Sequence, residues 1–149
     1  KPTQARRVFK LFLEQQSAYP TVTFYLGRIS FDEKDYGRAI GWFKKSVDTE
    51  QCRAEYYLWL GRAYGYYTQQ ASVFRQPFLA KEVQKHFEQA VSCDPNNVAA
   101  RWDLMEYYLR APGFLGGSTK KAKEQATAIQ QRNPQEGQKA WELIAELGK

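Results

Sequence analysis

Side chains able to do acid–base or nucleophilic chemistry are few in this sequence. His86 is the only histidine among the 149 residues, and no Cys or His stands at metal-ligand spacing from it. No motif places a nucleophile beside a base, and none pairs two carboxylates across a site. We therefore predict that His86 is a solvated helix position. We also predict that the protein is not an enzyme and needs no metal or other cofactor.

The two cysteines leave the redox chemistry open. Cys52 and Cys93 lack the CxxC spacing of a redox or zinc motif. Both are expected near the ends of helices, where isolated buried thiols are common. A disulfide between them is the alternative for an exported protein. The sequence does not decide whether they pair.

A glycine turn that leads into a basic helix is a candidate anion site. The segment is Gly116-Gly117-Ser118-Thr119-Lys120-Lys121. Unpaired backbone N–H groups at such a turn can hold an anion, but the GK[ST] of a nucleotide-binding loop is missing. We interpret the segment as a tight connector with Phe114 and Leu115 packed beneath it.

Positive charge is concentrated in two parts of the chain. The net charge is +6, and the excess of Lys and Arg in residues 1–19 and 120–132 accounts for all of it. A nucleic-acid-binding protein would carry a basic stripe along its surface, so we expect no nucleic-acid partner. No apolar run approaches the ~20 residues that span a bilayer, so no membrane span is predicted in this chain.

A repeat of about 34 residues organises the chain. Leu26-Gly27 recurs 34 residues later as Leu60-Gly61. Leu104 follows Leu60 by 44 residues, and Phe87 follows Phe43 by the same interval. One ten-residue insertion in the second repeat explains both intervals. Self-similarity of this period is typical of stacked helix-turn-helix units.

The second repeat resembles the tetratricopeptide repeat (TPR) family. It has an aromatic residue, Leu-Gly, Tyr, Phe and Pro at the positions of that family's pattern, which here are Tyr57, Leu60-Gly61, Tyr64, Phe87 and Pro95. In the third repeat Met105 replaces the Gly and Ala126 replaces the Phe. The resemblance implies an all-α superhelix of about eight helices, in which three repeats have a flanking helix at each end.

The register predicts a single TPR domain in residues 1–149. Its parts are an N-terminal flanking helix in 1–19, repeat one in 20–53, repeat two in 54–97 with the ten-residue insertion, repeat three in 98–134 with a five-residue insertion, and a C-terminal capping helix in 135–149. We expect the first insertion to be ordered. Its apolar side chains should cover an edge of the ligand groove of the TPR fold or the neighbouring helix pair, and they are Tyr66, Tyr67, Val73, Phe74 and Phe78.

Two segments resemble one particular group within the TPR family. Residues 56–65 and 111–117 look like a group of small, often exported bacterial TPR proteins without an assigned activity. This likeness implies an exported or periplasmic protein, and a cytoplasmic protein is the alternative.

In TPR proteins the first helix of each repeat lines a concave groove that holds a ligand. The resemblance places the following residues at the ligand-facing positions: Phe24, Arg28, Phe31, Glu55, Leu58, Arg62, Tyr66, Trp102, Glu106, Leu109 and Arg110. Arg28 and Arg62 share one repeat position, so their guanidinium groups should lie side by side and suit a carboxylate or phosphate. Alternatively, Arg62 only ties two repeats together through Glu106.

The two-carboxylate clamp by which some TPR domains hold the acidic tails of heat-shock chaperones is not predicted. That clamp needs Lys, Asn and Arg at five positions, which here hold Phe24, Arg28, Trp59, Ala99 and Asp103. Only one of these is basic, and an aspartate would repel a carboxylate.

These patterns predict a non-catalytic scaffold that holds a peptide segment of another protein in the concave groove. An acidic segment is one candidate, because of the two arginines. The alternatives are binding of RNA or single-stranded nucleic acid, and a structural subunit that assembles through its end helices. The oligomeric state and the identity of the partner stay open.

Overall fold

A computed structural model describes residues 2–16 and 19–149. Within these residues the protein has eight α-helices, one short 3-10 turn at Gly113–Leu115 and no β-strand, which confirms the predicted all-α fold. The helices are α1 (Pro2–Gln15), α2 (Pro20–Asp32), α3 (Tyr36–Val47), α4 (Ala54–Gln70), α5 (Gln76–Cys93), α6 (Val98–Arg110), α7 (Thr119–Arg132) and α8 (Pro134–Glu146).

Polar side chains fix where several helices begin. The Asp35 carboxylate accepts a hydrogen bond from the third backbone N–H beyond it, at 3.1 Å, and so caps α3. Asn97, Ser118 and Asn133 cap α6, α7 and α8 in the same way. Each cap satisfies an N–H group that has no partner inside the helix.

Consecutive helices pack as pairs, and the pairs stack. The closest contacts join α2 to α3, α4 to α5 and α6 to α7, and α3 packs in turn on α4 and α5 on α6. Helix α4 also contacts both α2 and α6, so these three first helices lie in a row along one face. Helices α1 and α8 pack on the two ends of the stack. None of the described helices is long and apolar enough to cross a membrane.

The recurring Leu-Gly step allows the paired helices to approach closely. A Cβ atom added to Gly27 would lie 2.5 Å from the ring of Phe43, and one added to Gly61 would lie 2.5 Å from the ring of Phe87. Both distances are shorter than non-bonded carbon atoms can approach. In each pair, a buried phenylalanine of the second helix therefore fills the space that the missing side chain of the glycine leaves. In the third repeat the equivalent positions hold Met105 and Ala126, which are both buried. The larger of the two side chains is therefore on the first helix of this pair, whereas in repeats one and two it is on the second helix.

One continuous apolar core runs through the stack. It includes Leu60, Tyr64, Phe87, Ala90 and Leu104, all of which are buried. Trp59 is half-buried and packs against the same cluster.

The first insertion lengthens the second helix pair. Helix α4 continues to Gln70, and a short ordered connection leads into α5. The expectation that its apolar side chains cover the neighbouring helix pair or an edge of the groove holds for Tyr66, whose ring stacks on that of Tyr36 in α3 with centroids 5.1 Å apart. It is wrong for Val73, Phe74 and Phe78, which are 73–86% exposed. With 17 and 18 residues, α4 and α5 are longer than α2 and α3 with 13 and 12, so the added turns extend past the neighbouring pair.

The two cysteines of the chain form a disulfide bond. Cys52 and Cys93 are joined by a disulfide with their Cα atoms 5.3 Å apart. Cys52 is exposed and lies between α3 and α4, whereas Cys93 is the last residue of α5. The bond therefore holds the ends of two stacked helix pairs together, and the interpretation of both cysteines as buried thiols is wrong.

Candidate peptide-binding groove

A groove with a volume of 790 Å³ opens between the C-terminal halves of α4 and α6. Five aromatic side chains line it. Four of them are not fully buried, namely Phe31 from α2, Trp59 and Tyr66 from α4, and Tyr107 from α6. The fifth is the buried Phe87 of α5, a helix that also supplies Val83. The groove is thus a concave surface with a predominantly apolar lining.

Both insertions of the repeat pattern meet at this groove. Tyr66, Thr68 and Gln69 line it from the part of α4 that belongs to the first insertion, and Gly65 precedes them directly. Ala111, Pro112 and Leu115 line it from the connection that follows α6. The two departures from the regular repeat therefore build one site, although they lie more than 40 residues apart in the sequence.

The charged side chains of the groove pair with one another. Arg62 donates through Nε to the Asp103 carboxylate at 2.6 Å, and this ion pair is partly buried between α4 and α6. Arg110 donates to the Glu106 carboxylate at 3.2 Å, and the Trp102 indole N–H donates to that carboxylate at 2.9 Å. The partner of Arg62 is therefore Asp103 rather than the predicted Glu106.

Burial raises the pKa of the Asp103 carboxyl above its ordinary value of 3.8. The hydrogen bond and the positive charge of Arg62 act in the opposite direction, and the negative charge of Glu106 adds to the rise. Arg62 thus favours the ionised form of the Asp103 carboxyl, whereas burial disfavours it. Arg62 is held by this pair and is not available as an unpaired cation.

Arg28 is the arginine beside the groove with an unmatched charge. Its guanidinium carbon lies 3.6 Å from the centroid of the Trp59 ring, and that of Arg62 lies 4.9 Å from the same ring. The two arginines therefore flank one tryptophan. The Arg28 Nε is buried without a hydrogen-bond partner among the described residues, and no described carboxylate forms a salt bridge with Arg28.

No protein-family model and no curated protein matches this sequence. Solved structures do match its fold. The crystal structure of MamA superposes with a TM-score of 0.71 at 20% identity, over 94% of this chain and 74% of that chain. The second TPR domain of human RPAP3, in complex with the HSP70 peptide SGPTIEEVD, gives a TM-score of 0.65 at 19% identity, over 87% of this chain and 98% of that domain.

The chain has the tetratricopeptide-repeat fold. A third TPR structure, YrrB, described as having an unusual peptide-binding site, gives a TM-score of 0.60 at 20% identity, over 82% of this chain and 55% of that chain. At sequence identities of 19–20%, the similarity between these structures and this chain is one of fold. The predicted all-α TPR superhelix is therefore confirmed.

The structure brings five of the eleven predicted ligand-facing residues into the groove: Phe31, Arg62, Tyr66, Glu106 and Arg110. Arg28 stands beside it on Trp59, and Trp102 is half-buried and bound to Glu106. Glu55 is exposed but does not line the groove.

The remaining predicted positions are buried, so the expectation that they face a ligand is wrong. Phe24 and Leu58 are each only 4% exposed, and Leu109 is 6% exposed. Phe24 packs against the rings of Tyr56 and Phe43, with centroid distances of 4.6 and 5.7 Å. These three side chains belong to the TPR core.

Sequence reasoning missed Trp59 and Asp103 as parts of the site. Trp59, Arg62 and Tyr66 follow one another at intervals of three and four along α4, and Asp103, Glu106 and Arg110 do so along α6. This spacing places each trio on one helix face. The signal was present in the sequence, but the family register shifted the chosen stripe to Leu58, which lies on the buried side.

His86 is buried, so its prediction as a solvated position is wrong. Its ring stacks on the rings of Tyr64 and Tyr57, with centroid distances of 5.3 and 6.3 Å. Its Nδ1–H donates to the backbone carbonyl of Glu82 at 2.6 Å. Burial lowers the pKa of the imidazole below its ordinary value of 6.5. His86 therefore packs as a neutral ring behind α4.

The glycine connector is a closed turn rather than an anion site. The N–H groups of residues 116, 117 and 118 already donate to the carbonyl oxygens of Gly113, Pro112 and Tyr108. Gly116 has a φ of 94°, and a Cβ on Gly117 would overlap the Ala111 carbonyl oxygen. The connector interpretation thus stands, but Phe114 is 79% exposed and does not pack beneath it.

Proposed function

We propose that this protein is a non-catalytic scaffold that holds a segment of a partner protein along α2, α4 and α6. The observation that carries the proposal is the groove, in which Trp59, Tyr66 and Tyr107 remain partly accessible although each has a large apolar surface. Partly exposed aromatic side chains in a concave site are typical of binding anchors.

The comparisons support this proposal at the level of the fold. The RPAP3 domain holds a peptide of another protein, and YrrB is described as having a peptide-binding site. We propose the same general use of the first-helix face here. The proposed contact residues are those that line the groove or stand beside it, and they exclude the buried Phe24, Leu58 and Leu109.

Arg28 is the proposed contact for an acidic group of the partner segment. Its charge is unmatched among the described residues, and Trp59 holds its guanidinium plane in place. A carboxylate beside the Arg28 guanidinium would supply the charge partner that no described residue provides. Arg62 is not proposed to bind an acidic group, because its guanidinium group already forms an ion pair with Asp103.

A peptide-display selection tests the proposal. Random segments are selected on the wild-type protein, and the affinity of the recovered peptides is then measured by calorimetry. Arg28→Ala should weaken binding by more than ~1 kcal/mol, and the loss should shrink at high salt. Arg38→Ala is the matched control, because Arg38 is exposed on α3 and pairs with Glu14. Failure to recover any peptide, or equal losses in both variants, would contradict the proposal.

Self-assembly through α1 is a second candidate, favoured by one specific observation. Val8, Phe9, Leu11 and Phe12 on this helix are 52–67% exposed, and apolar patches of this kind often mark protein contacts. Sedimentation equilibrium measures the oligomeric state of the wild type and of a Phe9→Ser, Phe12→Ser variant. Self-assembly through α1 predicts an oligomeric wild type and a monomeric variant. A monomeric wild type would exclude this candidate.

A further inference from the structure

We infer that the part of the groove between the two insertions is a pocket for one bulky, uncharged apolar side chain, aromatic or branched aliphatic. The inference rests on the proposed function for the claim that this side chain belongs to a peptide. It adds what the proposed function leaves open, namely which chemistry the partner segment presents and where.

The charge of the lining favours a neutral occupant. Four charged side chains reach this part of the groove, and they form the pairs Arg62–Asp103 and Arg110–Glu106. Their formal charges cancel within the protein. A charged ligand group would have to break one of these pairs and leave its partner without compensation, which is costly where the pair is partly buried. An apolar group leaves both pairs intact.

The chemistry of the walls fits such a group. The space is lined by Phe31, Trp59, Tyr66, Val83, Tyr107 and Leu115. The whole groove has a volume of 790 Å³, within the roughly 300–1,000 Å³ of sites that hold whole ligands, so a bulky side chain needs only part of it. Removing an apolar side chain from water into this space gains free energy in proportion to the area buried.

Gly65 keeps part of this space open. It lies in α4 and lines the groove, and a Cβ added to it would meet no atom within 4 Å. Gly65 therefore differs from Gly27 and Gly61, where an added Cβ would strike a core phenylalanine. A side chain at position 65 would occupy the groove without disturbing the packing of the helices.

Gly65→Leu fills the pocket, and Gly41→Leu is its matched control. Gly41 lies inside α3, away from the groove, and it also has open space around it. Both changes replace glycine within a helix by a strong helix former, so neither variant should lose its fold. Circular dichroism and a thermal melt confirm this before binding is measured.

The probes are N-acetyl amides of single amino acids at millimolar concentrations. Their binding is detected through NMR chemical shifts of the ¹⁵N-labelled protein. The amides of tryptophan, phenylalanine and leucine should shift signals of residues 65–69 and 103–110, and those of aspartate and lysine should not. Gly65→Leu should weaken this binding at least tenfold, whereas Gly41→Leu should leave it unchanged. Absence of shifts with the apolar probes, or equal shifts with the aspartate probe, would overturn the inference.

Peptides recovered by display separate the inference from the proposed function. Peptides that bind wild type and Gly65→Leu equally, while still requiring Arg28, would overturn the pocket and leave the scaffold proposal standing. Apolar probes that bind in a Gly65-dependent manner, with no peptide recovered, would uphold the pocket and contradict the scaffold proposal. Peptides that need both a bulky apolar residue and an open Gly65 position support the two together.

Discussion

Two arginines at equivalent repeat positions have different environments in this protein. Arg62 is bound to Asp103 at 2.6 Å across two helices, whereas Arg28 lies on Trp59 and no described carboxylate pairs with it. The difference arises because α6 places an aspartate beside Arg62. Arg62 therefore contributes to the cohesion of the stack, and Arg28 remains the candidate for ligand binding.

Arg62→Ala should destabilise the fold by about 1–3 kcal/mol, because it leaves the Asp103 carboxylate partly buried without its donor. Arg110→Ala is the control, since its pair with Glu106 is exposed and should be worth less than ~0.5 kcal/mol. Urea unfolding of both variants measures the two costs. Equal, small costs would show that the Arg62–Asp103 pair does not hold the helices together.

His86 should make the protein less stable as the pH falls through the range just below neutrality. Burial lowers its pKa in the folded state below the ordinary 6.5, so the unfolded chain takes up the proton first. Its contribution to stability is therefore complete above pH 6.5 and is lost as the pH falls through the folded-state pKa. His86→Gln should flatten the pH dependence of the unfolding free energy between about pH 5 and 7. An unchanged slope would contradict this account.

The sequence predicted part of the site at this scale. Arg62, Tyr66 and Glu106 line the groove, and the register of the TPR family had placed them at ligand-facing positions. The burial of Phe24 depends on the rings of Tyr56 and Phe43, which come from two other helices. Packing of that kind is set by the assembled stack and not by local spacing.

At the scale of helices, the Leu-Gly step explains how the pairs are formed. The same close approach of a phenylalanine ring to a glycine occurs in repeats one and two, at Gly27 and Gly61. The eight helices were predictable because caps, prolines and apolar periodicity are local signals. The exposure of Phe74 and Phe78 was not, because it depends on the lengths of the neighbouring helices.

Gly61→Ala and Gly65→Ala should change stability in opposite directions. Both positions lie in α4, where alanine is favoured over glycine by about 0.5–1 kcal/mol, so Gly65→Ala should stabilise the protein. At Gly61 the added methyl group would lie 2.5 Å from the Phe87 ring, and overpacking should cost about 1–3 kcal/mol. Thermal unfolding of the two variants compares them. Stabilisation by both would mean that the helices do not pack as closely as described.

At the scale of the whole molecule, the disulfide connects the ends of two stacked helix pairs. It closes a loop across 41 positions of the chain, from Cys52 to Cys93. The sequence left this pairing open because two cysteines without a motif carry no distance information. The pairing followed only once the stack had brought their Cα atoms to 5.3 Å.

Reduction of Cys52–Cys93 should lower the stability by about 2–4 kcal/mol, since a cross-link restricts the unfolded chain. Urea unfolding with and without a thiol reductant measures this, and the exposure of Cys52 gives the reductant access. A Cys52→Ser, Cys93→Ser variant should be as stable as the reduced wild type and insensitive to reductant. Equal stability of the oxidised and reduced wild type would contradict the prediction.

The position of a bound peptide on the protein distinguishes the proposed scaffold from the other ways in which the molecule could bind a partner. The measurement is chemical-shift mapping of the tightest display-selected peptide on the ¹⁵N-labelled protein. The account predicts that the shifts concentrate around Arg28, Trp59 and residues 62–69 and 103–110, along α2, α4 and α6. Shifts confined to α1, or to the outer helices α3 and α7, would contradict it.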